Sequence, residues 1–314
     1  ENLEDWPPVV RDAFNNKITE IAGENFFGFD INPDLVKATK MNMVMNNDGS
    51  VNIIQLNSLL PPHEWSEEKK QLLEERMGRP KNSIVNHKTI DLFDVIVTNP
   101  PFGSKIPIND QQILEQFDLA HSWTKDQHGN WLMNSTKLRG SVPPEQIFIE
   151  RIVQLLRPGG RAAIVLPDSI FSSPGLEFIR VWLMRRTHII ASIDLHADTF
   201  QPHNGTQCSI LFVVKKTTEE MQEEQNLGFI PDNQIFMAMV DHIGHDKRGN
   251  TIYKRDEEGN LILRHEENDV REVDATTGEV TYRKETFEEK IVNDQTILVA
   301  DVFLKWKREQ GITW

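Results

Sequence analysis

Cysteine is nearly missing from this sequence. One residue, Cys208, serves 314 positions, which excludes a disulfide framework and fits a reducing compartment. Long apolar runs are missing too. None approaches the roughly 18 to 20 residues that span a bilayer, and no signal-peptide pattern opens the chain. These absences point to a soluble, cytoplasmic protein with no membrane partner. The tripeptide Gly-x-Gly occurs nowhere, so the glycine-rich turn that nucleotide-binding folds place after a strand is not among these residues. Ten histidines show no metal-ligand spacing: His242 and His245 lie three apart without a third ligand nearby, and no metal site is predicted.

Basic charge is also scarce, with 34 Lys and Arg against 48 Asp and Glu, net −14. Residues 1–216 carry 26 acidic and 22 basic side chains, whereas residues 217–314 carry 22 and 12. The first two thirds are therefore nearly neutral and the excess acid sits in the tail. A protein that binds nucleic acid unaided normally shows a basic face, and no convincing basic patch is visible here. The length suffices for one large domain plus an extension. The change of character after Lys216 sets the expected boundary, with a catalytic domain over 1–216 and an acidic, β-rich extension over 217–314.

What is present is sharper. The apolar run Asp94-Val95-Ile96-Val97-Thr98 closes on Asn99-Pro100-Pro101-Phe102. A β-branched run stopped by two prolines reads as a buried strand opening into a rigid loop, at the sheet edge where open α/β folds bind ligands. An amide and an aromatic held there suit one task, gripping a planar amino group about to be methylated. The exocyclic N6 of adenine is a poor nucleophile because its lone pair is delocalised into the ring. The Asn99 side-chain oxygen and the Pro100 carbonyl would accept its two hydrogens and localise that lone pair for attack on a sulfonium methyl. Pro100 and Pro101 fix φ and offer no N–H, and Phe102 would stack on the base. A duplex base must first leave the helix, at a cost of a few kcal/mol. The alternative reading is a strand, a Pro-Pro turn and a buried Phe.

Upstream, Phe27-Gly28-Phe29-Asp30 runs into Ile31-Asn32-Pro33, and the proline marks a helix start. An acid at the end of such a strand typically accepts hydrogen bonds from ribose hydroxyls, with Ile31 against the cofactor's adenine ring. The alternative makes Asp30 or Asn32 an N-cap. A third strand, Val51 to Leu60, carries Asn57 and Ser58 near its end, where Asn57 would meet the cofactor's adenine edge or simply form a turn. Gln146–Leu156 reads as a scaffold helix, Arg157-Pro158-Gly159-Gly160 as the turn that stops it, and Arg161–Pro167 as a buried strand.

These segments together resemble the amino-group DNA methyltransferases, and most closely the modification subunit of type I restriction-modification systems. FGFDINPD, NPPF, LLRPGGRAAIVLP and the strand-like Asn204–Phe212 carry the resemblance. It implies a Rossmann-like α/β methyltransferase sheet, S-adenosyl-L-methionine as methyl donor, and adenine N6 in double-stranded DNA as acceptor. It also implies a specificity subunit, a second modification subunit and a restriction subunit as partners, in a prokaryotic cytoplasm. Phe200, Asn204 and Thr206 would line the far wall of the base pocket, and the basic residues Lys105, Lys137 and Arg139 are the candidate DNA contacts. Where the family usually has an aspartate, this chain has Asn57.

The resemblance also predicts a first strand and Gly-rich turn ahead of the helix at Val9–Ala22, and these are not in the sequence. A fragment, a split protein or one part of a longer polypeptide would each account for that, and no methylation by these residues alone is expected. Ser104–Pro144 reads as a long loop that closes over the base or the DNA backbone, or as a surface insertion without a role. In the tail, Thr217–Asn226 reads as a charged helix. Hairpin turns are expected at Lys247–Asn250, Asp256–Asn260 and Thr277-Gly278, with short strands Thr251–Lys254 and Leu261–Arg264. Ile297–Glu309 reads as an amphipathic helix through Leu298, Val302 and Trp306, packing on its own domain or on a specificity subunit. Two other functions stay open: methylation of an exocyclic amine in RNA or of a protein glutamine amide, and a non-catalytic assembly or DNA-contacting module.

Overall fold

The computed structural model describes residues 6–46, 52–88, 90–103, 106–273 and 280–312, without the side chains of 268–273, 280 and 281. Lys105 and the turn at Thr277-Gly278 lie outside the described residues. The chain divides into two compact units. One comprises Glu1–Ala162, Phe178–Thr187 and Val214–Ile230, the other Ala163–Glu177, His188–Val213 and Pro231–Trp314.

Proline and small polar caps set the early elements. α1 (Pro8–Asn25) has proline at its first position, where a missing N–H costs nothing. It leads into β1 (Gly28–Asp30), α2 (Pro33–Met45) and β2 (Ile53–Gln55). The Asn32 side-chain oxygen caps α2, accepting from the N–H of Asp34 at 2.9 Å and of Leu35 at 3.4 Å. β1 and β2 run parallel with Phe29 opposite Ile54, so β1-α2-β2 is a β-α-β unit. β2 is shorter than the strand expected from Val51 to Leu60, because the chain turns at Asn57: the Leu60 N–H donates to its carbonyl at 3.2 Å.

After α3 (Glu67–Arg76) comes β3 (Phe93–Thr98), ended by the double proline as its sequence predicts, but not buried as expected: Val95 is 55% and Val97 78% exposed. The segment expected to be an aperiodic loop is built instead. It holds α4 (Gln111–Leu114) and an antiparallel hairpin, β4 (His121–Lys125) with β5 (Trp131–Leu138). Trp123 and Trp131 both lie against Phe178, at ring-centroid distances of 5.8 and 6.0 Å. Their partner is some fifty residues away in sequence, so local periodicity carried no sign of it. α5 (Pro144–Leu155) passes directly into β6 (Leu156–Pro167). The glycines therefore sit inside the strand rather than in a turn between the two. Gly159 has φ +76°, and a Cβ on Gly160 would stand 3.0 Å from the Phe93 carbonyl oxygen.

The remaining elements are α6 (Ser169–Ser172), α7 (Glu177–Arg186), β7 (Thr187–Asp194), β8 (Cys208–Lys215), α8 (Thr218–Leu227), β9 (Phe236–Met239), β10 (Leu263–Val273), β11 (Val280–Lys290) and α9 (Thr296–Glu309). The main sheet has the order β3-β6-β8-β7-β9, with β7 and β9 parallel. Helices alternating with strands make this a mixed α/β fold, as expected. α8 starts on a capping box between Thr217 and Glu220. In the tail, the strands expected at Thr251–Lys254 and Leu261–Arg264 are mostly single bridges, Tyr253 to Val292 and Arg255 to Leu261 among them. The regular pairing is the antiparallel β10–β11 ribbon.

α9 packs on its own unit, but rotated from the expected face. Phe303 lies 5.3 Å from Phe236 and 6.3 Å from Phe212, and Trp306 lies 5.4 Å from Phe236. Leu298 and Val302 are half exposed on the other side. No helix among the described residues is long and apolar enough to cross a membrane.

Candidate functional site

Two strands in the first unit line one cavity and lead into predicted residues. Phe27, Gly28 and Phe29 at β1 face Val95, Ile96, Val97 and Thr98 of β3 across a cavity of about 300 Å³, with Ser58 on its wall. Asp30 and Asn99 are the residues immediately following these two walls.

Asn99 is exposed, and among the described residues its amide makes no hydrogen bond to protein. The Pro100 ring is buried while its carbonyl takes no backbone donor, Pro101 is exposed and Phe102 is half-buried. The loop is held from behind. The N–H of Gly103 donates to Glu145 Oε2 at 3.2 Å, and Gly103 has φ +130°, a conformation that a Cβ would oppose.

Asp30 Oδ1 accepts from the Asn32 N–H at 2.7 Å. Its Oδ2 has no protein partner among the described residues. Asn32, not Asp30, is the helix cap, which separates the two roles the sequence left merged. Ile31 is 63% exposed, and its carbonyl accepts from Gln55 Nε2 at 3.3 Å. Asn57 is half-buried, and its Oδ1 accepts from the Leu59 N–H at 3.1 Å, so that oxygen already serves a turn.

The sequence reading missed what organises these loops, which is the polar side of α5. Glu145, Gln146, Glu150, Arg151 and Gln154 are all at most 7% exposed. Glu145 holds the Asn99–Gly103 loop. Arg151 Nη2 donates to the carbonyls of Leu59 at 3.2 Å and Leu60 at 3.5 Å, and to Gln116 Oε1, fixing the chain just after Asn57 and Ser58. Its guanidinium also lies 4.8 Å from the Phe117 ring centroid. Glu150 accepts from the N–H groups of Asp118 and Leu119 at 3.0 and 2.9 Å. Burial pushes its carboxyl up to about 8, aided by the Asp118 charge and opposed by those two N–H bonds. The signal available in sequence was a helix with too many polar residues for a buried scaffold.

The other candidates are placed as follows. Lys137 is exposed on β5. Arg139 is committed to protein partners: its Nη1 donates to the Leu119 carbonyl at 3.2 Å and to Gln146 Oε1 at 2.9 Å. In the second unit, Phe200 and Asn204 are half-buried and Thr206 is exposed, in the connection between β7 and β8. Asn204 Oδ1 accepts from the Thr206 N–H at 3.0 Å. The neighbouring Cys208 thiol is buried, and burial with the nearby Asp168 raises it to about 11, so it is an inert packing residue.

Comparison with known proteins follows this geometry. The N-6 DNA Methylase family model matches residues 10–258. The type I restriction enzyme StySPI methylase subunit of Salmonella potsdam is 27% identical over 134 residues, 42% of this chain and 21% of that protein. The type I restriction enzyme EcoKI methylase subunit of Escherichia coli strain K12 is 26% identical over 133 residues, again 42% and 21%. The matched stretch is thus about a fifth of the length of these relatives. The crystal structure of the EcoKI M protein superposes with a TM-score of 0.39 at 22% identity, covering 69% of this chain and 35% of that one.

Proposed function

The chain belongs to the N-6 DNA Methylase family, and from that premise we propose that it carries the target-base half of a DNA adenine-N6 methyltransferase, in the modification subunit of a type I restriction-modification system. The observation that carries the proposal is the acceptor pair at the end of β3. The Asn99 amide and the Pro100 carbonyl stand without protein donors among the described residues, on a loop tied down by Glu145.

The residues present fit the nucleoside half of S-adenosyl-L-methionine. Asp30 has a carboxylate oxygen to spare for ribose hydroxyls, the exposed Ile31 gives an apolar surface for adenine, and Ser58 lines the adjoining cavity. Asn57 is the weaker contact, since its oxygen already caps a turn. When bound, the cofactor supplies an electrophilic methyl group on a sulfonium.

Asn99 and Pro100 do the rest by accepting the two N6 hydrogens of a flipped adenine. The nitrogen is drawn toward tetrahedral geometry and its lone pair becomes available. No strong base is required, because the proton leaves only as the N–C bond forms. Phe102 stacks on the base and offsets part of the few kcal/mol of unstacking. Phe200, Asn204 and Thr206 are assigned to base binding by resemblance, and Lys105 and Lys137 to the DNA backbone. Arg139 supports the hairpin. With a net charge of −14, the chain depends on a separate specificity subunit to read sequence. A second modification subunit and a restriction subunit complete the expected cytoplasmic assembly.

The test is transfer of tritiated methyl from S-adenosyl-L-methionine to unmethylated duplex DNA by the complete enzyme. Asn99→Ala should lower kcat by about 10²- to 10³-fold, the usual loss on removing one transition-state hydrogen bond, while cofactor affinity holds. Asp30→Ala should instead raise the KM for cofactor. An Asn99→Ala enzyme with unchanged kcat would sink the assignment.

A further inference from the structure

The turn that follows β2 is held by side chains from far along the chain. β2 ends at Gln55, and Leu59 and Leu60 belong to no strand or helix. Their carbonyls are nevertheless engaged. That of Leu59 accepts from Gln116 Nε2 at 2.7 Å and from Arg151 Nη2 at 3.2 Å, and that of Leu60 accepts from Trp65 Nε1 at 3.1 Å. All three donor residues are at most 5% exposed. Burying a guanidinium is costly unless hydrogen bonds offset it, and what this one secures is the geometry of the Asn57–Leu60 turn.

Asn57 is locked into that turn. Its carbonyl accepts from the Leu60 N–H at 3.2 Å, and its Oδ1 accepts from the Leu59 N–H at 3.1 Å. Turning the amide over would set NH2 against N–H, two donors without an acceptor, and would leave the N–H of the buried Leu59 unsatisfied. The oxygen is therefore committed to the protein. Nδ2 donates to no protein atom among the described residues, and the side chain is half-buried, so fixed N–H donors stand at the strand tip. An aspartate would keep the same bond to Leu59 and offer an acceptor instead. Amide or acid at this position thus sets the hydrogen-bond polarity of the spot.

The position of Asn57 relative to Asp30 says what those donors meet. Asp30 pairs with Gln55 in the β1–β2 ladder, and its carbonyl accepts from the Leu56 N–H at 2.9 Å. Asn57 follows two residues beyond Gln55, roughly 8 Å from Asp30 at ordinary strand spacings. That matches the reach from a ribose hydroxyl to the far edge of the purine it carries. The amino group of adenine is itself a donor and cannot satisfy Asn57, whereas the ring nitrogens are acceptors and can.

We propose that Asn57 is a specificity-determining residue whose amide donates an N–H to a ring nitrogen of the cofactor's adenine. This assignment rests on the cofactor reading of Asp30 proposed above and deepens it. Gln116 and Arg151 are positioning residues, because they hold the turn that fixes the amide.

Calorimetric binding of S-adenosyl-L-homocysteine and its 1-deaza, 3-deaza and 7-deaza analogues to the complete enzyme tests it. Each analogue replaces one ring nitrogen by C–H. One of the three should bind wild type about five- to tenfold more weakly than the parent, the usual worth of one neutral hydrogen bond. Asn57→Ala should bind that analogue and the parent alike. Asn57→Asp guards against a collapsed turn, because it keeps the acceptor for Leu59, and it too should lose the discrimination. Three analogues that bind wild type as tightly as the parent would overturn the proposal, as would a deficit that persists undiminished in both variants. Asp30→Ala separates this from the broader reading. If that variant binds S-adenosyl-L-homocysteine as tightly as wild type, the cofactor assignment falls and Asn57 with it. Weakened binding there, with three equal analogues on wild type, overturns the role of Asn57 alone.

Discussion

Glu150 makes the stability of the first unit pH-dependent in a direction opposite to that of most carboxylates. It is 3% exposed on α5, and burial holds its carboxyl at about 8 against an ordinary 4.5. Its native form therefore keeps a proton that the unfolded chain gives up. Stability from this group is fully present below pH 4.5 and is lost as pH rises through 8. Within that window the slope approaches 1.36 kcal/mol per pH unit, or about 2–3 kcal/mol between pH 5.5 and 7.5. For a protein of this size that corresponds to roughly 3–5 °C in Tm. Glu150→Gln removes the titration but keeps one oxygen to accept from Asp118 or Leu119, at a cost of about 1 kcal/mol for the other bond. Thermal melts of both proteins from pH 5 to 9 should therefore cross, with wild type more stable at the acid end and the variant at least equal above pH 8. Two curves that stay parallel across the range would refute the reasoning, because both oxygens would then be serving an ionised carboxylate throughout.

The same helix gives a functional counterpart. Glu145→Ala removes the acceptor for the Gly103 N–H, a bond to a charged group worth about 1.5 kcal/mol. In the complete enzyme it should slow methyl transfer by about 10- to 100-fold, as expected for a misplaced catalytic loop, with DNA affinity little changed; single-turnover kinetics and a binding assay separate the two. In the second unit, Phe303→Ala should cost about 2 kcal/mol by stripping α9 from Phe212 and Phe236. Leu298→Ala, half exposed on the opposite face, should fall within about 0.5 kcal/mol, and denaturant melts of the two variants would expose a wrongly assigned helix face.

Much of the site was readable before the fold, because its signals are local. The β-branched run stopped by Pro100 and Pro101 marks a strand end without any tertiary information, and Asn32-Pro33 marks a helix start by cap chemistry alone. The hairpin in 121–138 was not readable, since its tryptophans answer to Phe178 rather than to one another. The face of α9 was misjudged by one position on the helix, Phe303 in place of Val302. Both residues are large and apolar, and only the positions of Phe212 and Phe236 choose between them.

By itself the sequence determined where β3 ends and where α2 begins beside the site, and which residue types stand at those tips. These depend on backbone restriction, capping and periodicity over a few neighbours. Tertiary structure alone decided that α5 is buried with five polar side chains. It also decided that those side chains tie together loops 31 to 92 residues away, and that β1 and β3 both line one cavity. Burial of a charged group is tolerated only where distant partners converge on it, and no short-range pattern records where they will be.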